Sequence, residues 1–394
     1  MKKIAFLFLS IFATLSLSAQ VTTSSISGQV TDANGTPIIG ATIIATHTPS
    51  GTTYATASAR DGRYNINGMR VGGPYSIEFS FIGYNTAKIE EAYLTVGEEA
   101  VFNQKLDEES QAIGEVVVMG QANPVFNSNR TGAQEVVTRE MMDKLPTTSR
   151  SLSDFTKLTP MSSGNNFAGT SYRYNNITVD GASFNNSFGL ASSLGGQTGV
   201  EPIALESIDQ IQVMIAPFDV RNGGFTGGGI NSVTKAGTND WEASAYFYKK
   251  SPSMQGYRQG DEIITPSEFK NNQWGVSLAG PIIKNKLFFF INGEIERQEE
   301  PIYYTTANSR VSADDLNDLS NFLQTELGYN PGKFDLTSTP VKATRLTARL
   351  DWNMTKRSTL SVKYYFLNSS SMSNPSTSGA PKNGRGPNEY AIPF

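Results

Sequence analysis

Between Arg345 and Phe366 apolar side chains alternate with polar ones. Leu346, Ala348, Leu350, Trp352 and Met354 fall on one face; Arg345, Thr347, Arg349, Asp351 and Asn353 fall on the other. A turn at Thr355, Lys356 and Arg357 follows, and Leu360, Val362, Tyr364 and Phe366 repeat the alternation. Successive Cβ atoms leave opposite faces of a sheet, so a period of two marks strands and excludes amphipathic helices here. The same pattern sets Trp241, Ala243, Ala245 and Phe247 against Glu242, Ser244, Tyr246 and Tyr248. It also sets Trp274, Val276 and Leu278 against Gly275, Ser277 and Ala279. Gly280 to Lys286 reads as a turn into a further strand, Leu287 to Ile295.

Strands of about ten residues, with short turns at one end and long loops at the other, form the pattern of a membrane-spanning β-barrel. A soluble sandwich shares the period of two. The long polar connection from Glu299 to Lys342 favours the barrel. Within it, Ser312 to Asp315 reads as a capping box, and Leu316, Leu319, Leu323 and Leu327 suit a short surface helix.

The N-terminus agrees with export. Lys2 and Lys3 precede an apolar run from Ile4 to Leu17, and Ser18, Ala19 and Gln20 supply small residues for cleavage after Ala19. This is a secretory signal peptide, too short to span a membrane. Beyond residue 20 no stretch approaches 18 consecutive apolar residues, so entry into a membrane requires a barrel. The chain has no cysteine, which excludes disulfides, thiolate metal sites and cysteine catalysis. Its one histidine, His47, cannot build a zinc cluster and is expected to be packed or at the surface. With 32 basic and 36 acidic residues, the balance offers no basic face for nucleic acid. Acidic pairs such as Asp314 and Asp315 lie in solvated, loop-like contexts. No catalytic, cofactor-binding or metal-binding constellation is expected.

Ser24 to Leu106 reads as an Ig-like β-sandwich of short, turn-punctuated strands. Its clearest strand is Tyr75 to Phe81, with Tyr75, Ile77, Phe79 and Phe81 sharing one face. Tyr54, Tyr64, Tyr75 and Tyr84 are expected in the core or at its rim rather than as a sugar platform. Asp107 to Gln111 is a polar linker, followed by the β-branched run Glu115, Val116, Val117, Val118 and Met119. That run is either a last sandwich strand or an edge-pairing segment. From Val125 to Lys235 short elements of both types follow. Gln134 to Thr138 reads as a strand, and Thr138 caps a helix that ends before Pro146. Ser151 to Leu158 reads as a second helix, with Leu152, Phe155 and Leu158 on one face. The stretch ends in Gly223, Gly224, Phe225, Thr226, Gly227, Gly228 and Gly229, running into Ile230 to Lys235. A phosphate loop is excluded, because Gly-Lys-Ser/Thr and a helix are missing.

Ile177 to Gly181, Ile208 to Val213, Ala216 and Pro217, Val220 and Arg221, and the glycine run resemble the end of the plug domain of TonB-dependent outer-membrane receptors. Ile26 to Asp32, Pro37 to Thr42, Asp61 to Tyr64 and Phe81 to Tyr84 resemble a carboxypeptidase-regulatory-like domain, the arrangement of the Oar-like group. The resemblance implies a mainly β chain. It would comprise a signal peptide (1–19), a β-sandwich (20–107), a linker (108–124), a mixed α/β plug (125–237) and the first strands of an antiparallel transmembrane β-barrel (238–394). It implies that Glu115 to Met119 act as the TonB box, the handle taken by a TonB-type energy-transducing protein in the periplasm. The implied partners are that protein, outer-membrane lipid and a bulky solute of unknown identity, imported at the outer membrane. The loop from Ala182 to Gly199, with Phe184, Asn185, Asn186 and Phe188, is either ligand-facing or a flexible linker. The glycines at 223, 224, 227, 228 and 229 are expected to be structural, through positive φ at Gly228 in particular. A different reading is a secreted or surface β-protein whose sandwich binds carbohydrate or a partner without transport.

Five strands are legible after Gly237, whereas plugged transporters close barrels of about 22. The 394-residue chain is therefore expected not to close a pore. Tyr390 to Phe394 reads as the start of an extracellular loop. The expected result is no heat-modifiable migration on a gel; a fast-migrating species that slows on boiling contradicts it.

Overall fold

The computed structural model describes residues 22–109, 116–119, 133–147, 150–163, 165–185, 198–215, 217, 222–254, 256, 258–263, 269–301, 311–332, 338–355 and 358–371. The signal peptide, Glu115, Asn186, Phe188 and Tyr390 to Phe394 lie outside them.

The first unit is a sandwich. Its strands are β1 (Ser24–Thr31), β2 (Thr42–His47), β3 (Thr52–Ala57), β4 (Arg63–Met69), β5 (Gly72–Ser80), β6 (Ala87–Leu94), β7 (Glu99–Val101), β8 (Gln104–Lys105) and β9 (Val116–Met119). One sheet has the order β3-β2-β5-β6-β9; the other is β4-β1-β7, with β8 also on β1. The alternation expected for Tyr75, Ile77 and Phe79 is met, and all three are fully buried with Ile26, Ile43, Ile66 and Leu94. Truncating one such aromatic costs about 3–5 kcal/mol. Tyr64 and Tyr75 are core residues whose hydroxyls donate to Phe102 O (2.8 Å) and Arg70 O (2.7 Å). Tyr54 and Tyr84 are half-buried against the same core. His47 is buried, its Nδ1 2.7 Å from Ser50 Oγ.

The second unit is mixed. It contains β10 (Ala133–Thr138), α1 (Arg139–Lys144), α2 (Leu152–Thr156), a hairpin of β11 (Ser162–Ser163) and β12 (Asn166–Phe167), β13 (Asn176–Val179), β14 (Ala182–Ser183), β15 (Ile208–Ile215) and β16 (Gly228–Thr234). The sheet order is β10-β15-β16-β13-β14. Thr138 caps α1 by accepting from Met141 N. Leu152 and Phe155 of α2 enter the core, but Leu158 does not and is 45% exposed. The helix stops at Thr156, and the next turn closes through Leu158 N to Phe155 O and Thr159 N to Thr156 O. This three-residue spacing rotates Leu158 off the apolar face.

The third unit is an antiparallel sheet of β17 (Glu242–Lys250), β20 (Lys270–Ile283), β21 (Leu287–Pro301), β22 (Ser338–Thr355) and β23 (Ser358–Ser371), ordered as a meander. Between its first two strands lies a hairpin of β18 (Arg258–Gln259) and β19 (Glu262–Ile263). The four longer strands have 14 to 18 residues, more than the roughly 9–11 needed to cross a bilayer, so they project beyond it. Gly280 to Ile283 continue β20 instead of turning. β17 ends opposite Ala279, so Pro281 lies where one side has no strand partner, beside a register irregularity. Such a place tolerates proline. The tight turn at 284–286 and the paired strand ends Thr355 and Ser358 share one end of the sheet, and α3 (Ala313–Leu327) falls in the chain between the opposite ends of β21 and β22. Ser312 and Asp315 form the expected capping box, and no residue of α3 is buried.

In the glycine run the close contacts lie at Gly227, Gly228 and Gly229, and none of these three has positive φ. Of its five glycines only Gly224 has one (82°). Gly228 lies in extended β16, and a Cβ there would stand 2.6 Å from the buried Phe167 ring. Cβ atoms at Gly227 and Gly229 would meet Asn175 at 2.4 Å and Phe225 at 2.8 Å, whereas Gly223 faces open space. Gly228→Val is expected to destabilise by about 1–3 kcal/mol or more through overpacking, and Gly223→Ala to be neutral. Chemical denaturation of the two variants checks this; equal midpoints contradict it.

Candidate functional site

The sheet alternation separates two environments. Outward lie Phe247, Trp274, Val276, Leu278, Leu346, Leu350, Trp352, Val362 and Phe366, all large, apolar and exposed. Inward lie Asn292, Glu294, Arg345, Thr347 and Asp351, all buried. The inward residues meet the plug-like unit, and the contact surface between them is the candidate site.

Its upper cluster centres on Arg345. The guanidinium pairs with Glu294 (2.7 Å) and Glu296 (2.6 Å) of β21, and Nε donates to Glu201 O (2.6 Å). Tyr246 of β17 donates to Glu294 (2.7 Å). Arg150 stacks over the Tyr248 ring at 3.7 Å and pairs with Glu206 (2.9 Å), which also binds Arg139 (2.6 Å). Planar, multidentate guanidinium contacts of this kind fix orientation as well as charge. A cavity of about 220 Å³ lies here, lined by Arg150, Glu201, Lys250, Glu296 and Arg345 among others. Glu201 Oε2 is enclosed in it without a hydrogen-bond partner. Burial pushes the Glu201 carboxyl up to about 8, against the opposing pull of Arg345.

The lower cluster joins three units. Asp180, in the left-handed region (φ 50°) between β13 and β14, accepts from Thr234 N (3.1 Å), Thr234 Oγ1 and Tyr365. Lys363 of β23 stands 3.0 Å from it. Burial raises the Asp180 carboxyl, but Lys363, Arg349 and the hydrogen bonds outweigh it and hold the pKa below its usual value. Arg349 donates to Thr234 O (2.6 Å) and pairs with Asp351 (2.8 Å). Asp351 also takes Arg70 of the sandwich (3.1 Å), which donates to Gly237 O (3.2 Å). Around this junction Asn239 N donates to Pro49 O (2.8 Å) and Asn353 to Thr52 Oγ1 (2.9 Å). Val71, Val96, Val136 and Val233 form a small apolar cluster between sandwich and plug-like unit.

Of the loop residues singled out from sequence, Phe184 is half-buried edge-to-face on Tyr365, with centroids 5.7 Å apart. Asn185 accepts from Ile177 N (2.6 Å) and donates to Asn176 (2.7 Å). Both therefore anchor the base of the loop to the plug-like unit and to β23. At the loop's other end Thr198 donates to Ser369 (2.8 Å), near the end of β23 remote from the tight turns. Val116 to Met119 form a strand paired in parallel with β6, where a last sandwich strand belongs. Arg70, Glu201 and Arg345 were not singled out from sequence. Charge on the inward face of an alternating strand was a usable signal for Arg345; for Arg70 no local signal exists.

Residues 25–107 match the family described as carboxypeptidase regulatory-like domain, and residues 233–335 match outer membrane beta barrel domain. The chain carries the domains of a TonB-dependent outer-membrane receptor. It is similar to the TonB-dependent transporter Oar of Myxococcus xanthus, 27% identical over 46% of this chain and 18% of that one. It is also similar to the TonB-dependent receptor SusC of Bacteroides thetaiotaomicron, 25% identical over 71% of this chain and 28% of that one. The matched stretch thus spans less than a third of either relative's length. Both relatives are named as transporter or receptor, not as enzymes. The receptor is an outer-membrane protein.

Glu201 gives this contact surface a pH dependence. Its folded pKa lies above the ordinary 4.5, so the stability it contributes is complete below about 4.5 and is lost as pH rises through about 8. Receptor stability is expected to fall by up to about 1.4 kcal/mol per pH unit across that window. Glu201→Gln should flatten the slope. Thermal unfolding in detergent across pH 5 to 9 checks it; an unchanged slope in the variant contradicts the assignment.

Proposed function

We propose that this receptor takes up a bulky solute across the outer membrane. Energy would enter at Glu115 to Met119 from a TonB-type protein in the periplasm. The observation that carries the reading is the inward charged face of β21 to β23 seated on the plug-like unit while the outward face is apolar. A plug held mainly by ion pairs and hydrogen bonds separates from its wall while exposing little apolar surface, chiefly Phe184 and Tyr365. Thr198 on Ser369 supports placing the loop from Ala182 to Gly199 towards the incoming solute.

An extended segment joins a partner's sheet through main-chain hydrogen bonds, so the handle depends on its backbone more than on its side chains. Val117→Pro removes one donor and fixes φ. It is expected to abolish capture by the TonB-type protein and energised uptake while leaving expression and solute binding intact. Val117→Ala keeps the donor and is expected to act mildly. Normal capture and uptake by Val117→Pro in the full receptor sinks the handle assignment.

A further inference from the structure

β9 pairs with β6 through Ala87↔Val116, Lys88↔Val117, Ile89↔Val118 and Glu90↔Met119. It lies beyond residue 107, where the match to the regulatory-like domain ends, so it is an addition to that sandwich. The acceptor on β6 is short for a structural reason. On its other side β6 pairs with β5, and there Tyr75↔Ala92 is followed by Ile77↔Ile89. Glu90 and Glu91 thus stand opposite the single residue Ser76, and Glu91 has φ 58°. This is a β-bulge, which bends the strand and ends regular pairing. The ladder to β9 stops at Glu90, the first residue of the bulge, just before Glu91.

From this we infer that the outer edge of β6 is a strand-acceptor site. In the resting receptor its occupant is Val116 to Met119, and a TonB-type partner gains that segment by strand exchange. The inference rests on the handle reading above and adds where the handle is kept. A parallel ladder this short is weakly held, since parallel pairs are less stable per residue than antiparallel ones. It nevertheless covers an edge that would otherwise offer unpaired backbone groups to other strands. Traction on a segment still bonded to β6 would load the sandwich, which Arg70 fixes to the barrel strand β22 and the valine cluster to the plug-like unit. Force passes to β10 through the chain after Met119 only once the β6 ladder has opened.

The 394 residues contain no cysteine, so a full receptor with any cysteine elsewhere replaced by serine allows a direct test. Neighbouring strands lie about 4.8 Å apart, within reach of a disulfide. Lys88→Cys with Val117→Cys, the in-register pair, is expected to cross-link on mild oxidation. Glu90→Cys with Val117→Cys, two residues out of register, should cross-link at least tenfold less. The probe is the purified periplasmic domain of a TonB-type protein. Its affinity for the oxidised in-register variant should fall at least tenfold and return on reduction. No in-register cross-link overturns the pairing. A cross-linked receptor that binds the probe as well as the reduced one shows addition to the outer edge of β9 and overturns the exchange. Val117→Pro separates the two levels. If it binds the probe as well as the native receptor does, the handle reading fails and the inference with it. If it loses binding while the disulfide has no effect, the handle stands and the exchange alone fails.

Discussion

A charge on a membrane-crossing strand must face something other than lipid. Arg345, Arg349, Asp351, Glu294 and Lys363 all project from strands whose alternate residues are apolar and outward. Arginine or lysine facing lipid costs about 2–4 kcal/mol at mid-bilayer. Removing one partner of a buried pair costs about 3–5 kcal/mol. Both penalties are avoided by one arrangement: the plug-like unit fills the inward side and supplies Asp180, Thr234 O and Glu201 O as partners. The period of two in the strands and the position of the plug are consequences of the same constraint.

The sandwich is drawn into that arrangement. Arg70 shares Asp351 with Arg349, so one carboxylate on a barrel strand holds cations from two units. Gln210 of β15 accepts from Val96 N (2.9 Å) and donates to Leu94 O (3.1 Å), which fixes the sandwich to the plug-like unit as well. A module docked in this way transmits load, whereas one joined by a free linker would not. The strand Val116 to Met119 lies on the edge of that docked module.

Much of the fold was legible because its signals are local. Alternation identified every strand of the barrel sheet, Thr138 and Ser312 announced their caps, and the resemblance gave the order of units. The failures have physical causes. Proline at 281 reads as a turn unless it is known that β17 ends opposite Ala279. Leu158 reads as core unless the tightening after Thr156 is known. A glycine needed for room beside Phe167 looks the same in sequence as one needed for positive φ. The candidate site was less legible still, because its contacts join distant positions: Arg70 and Asp351 are 281 residues apart. Phe184 looked free for a ligand because Tyr365, which covers it, lies on the last described strand.

The central claim is that β22 crosses the outer membrane with its odd-numbered residues on the plug and its even-numbered residues in lipid. Single cysteines placed in turn from 344 to 352, with any cysteine outside these 394 residues replaced by serine, spin-labelled in outer membranes, test it most directly. Oxygen accessibility should be high at 346, 348, 350 and 352 and low at 345, 347, 349 and 351, a period of two, with little access for a water-soluble nickel reagent at either set. Accessibility without that period, or nickel access at the even positions, contradicts a lipid-facing strand and with it the seated plug.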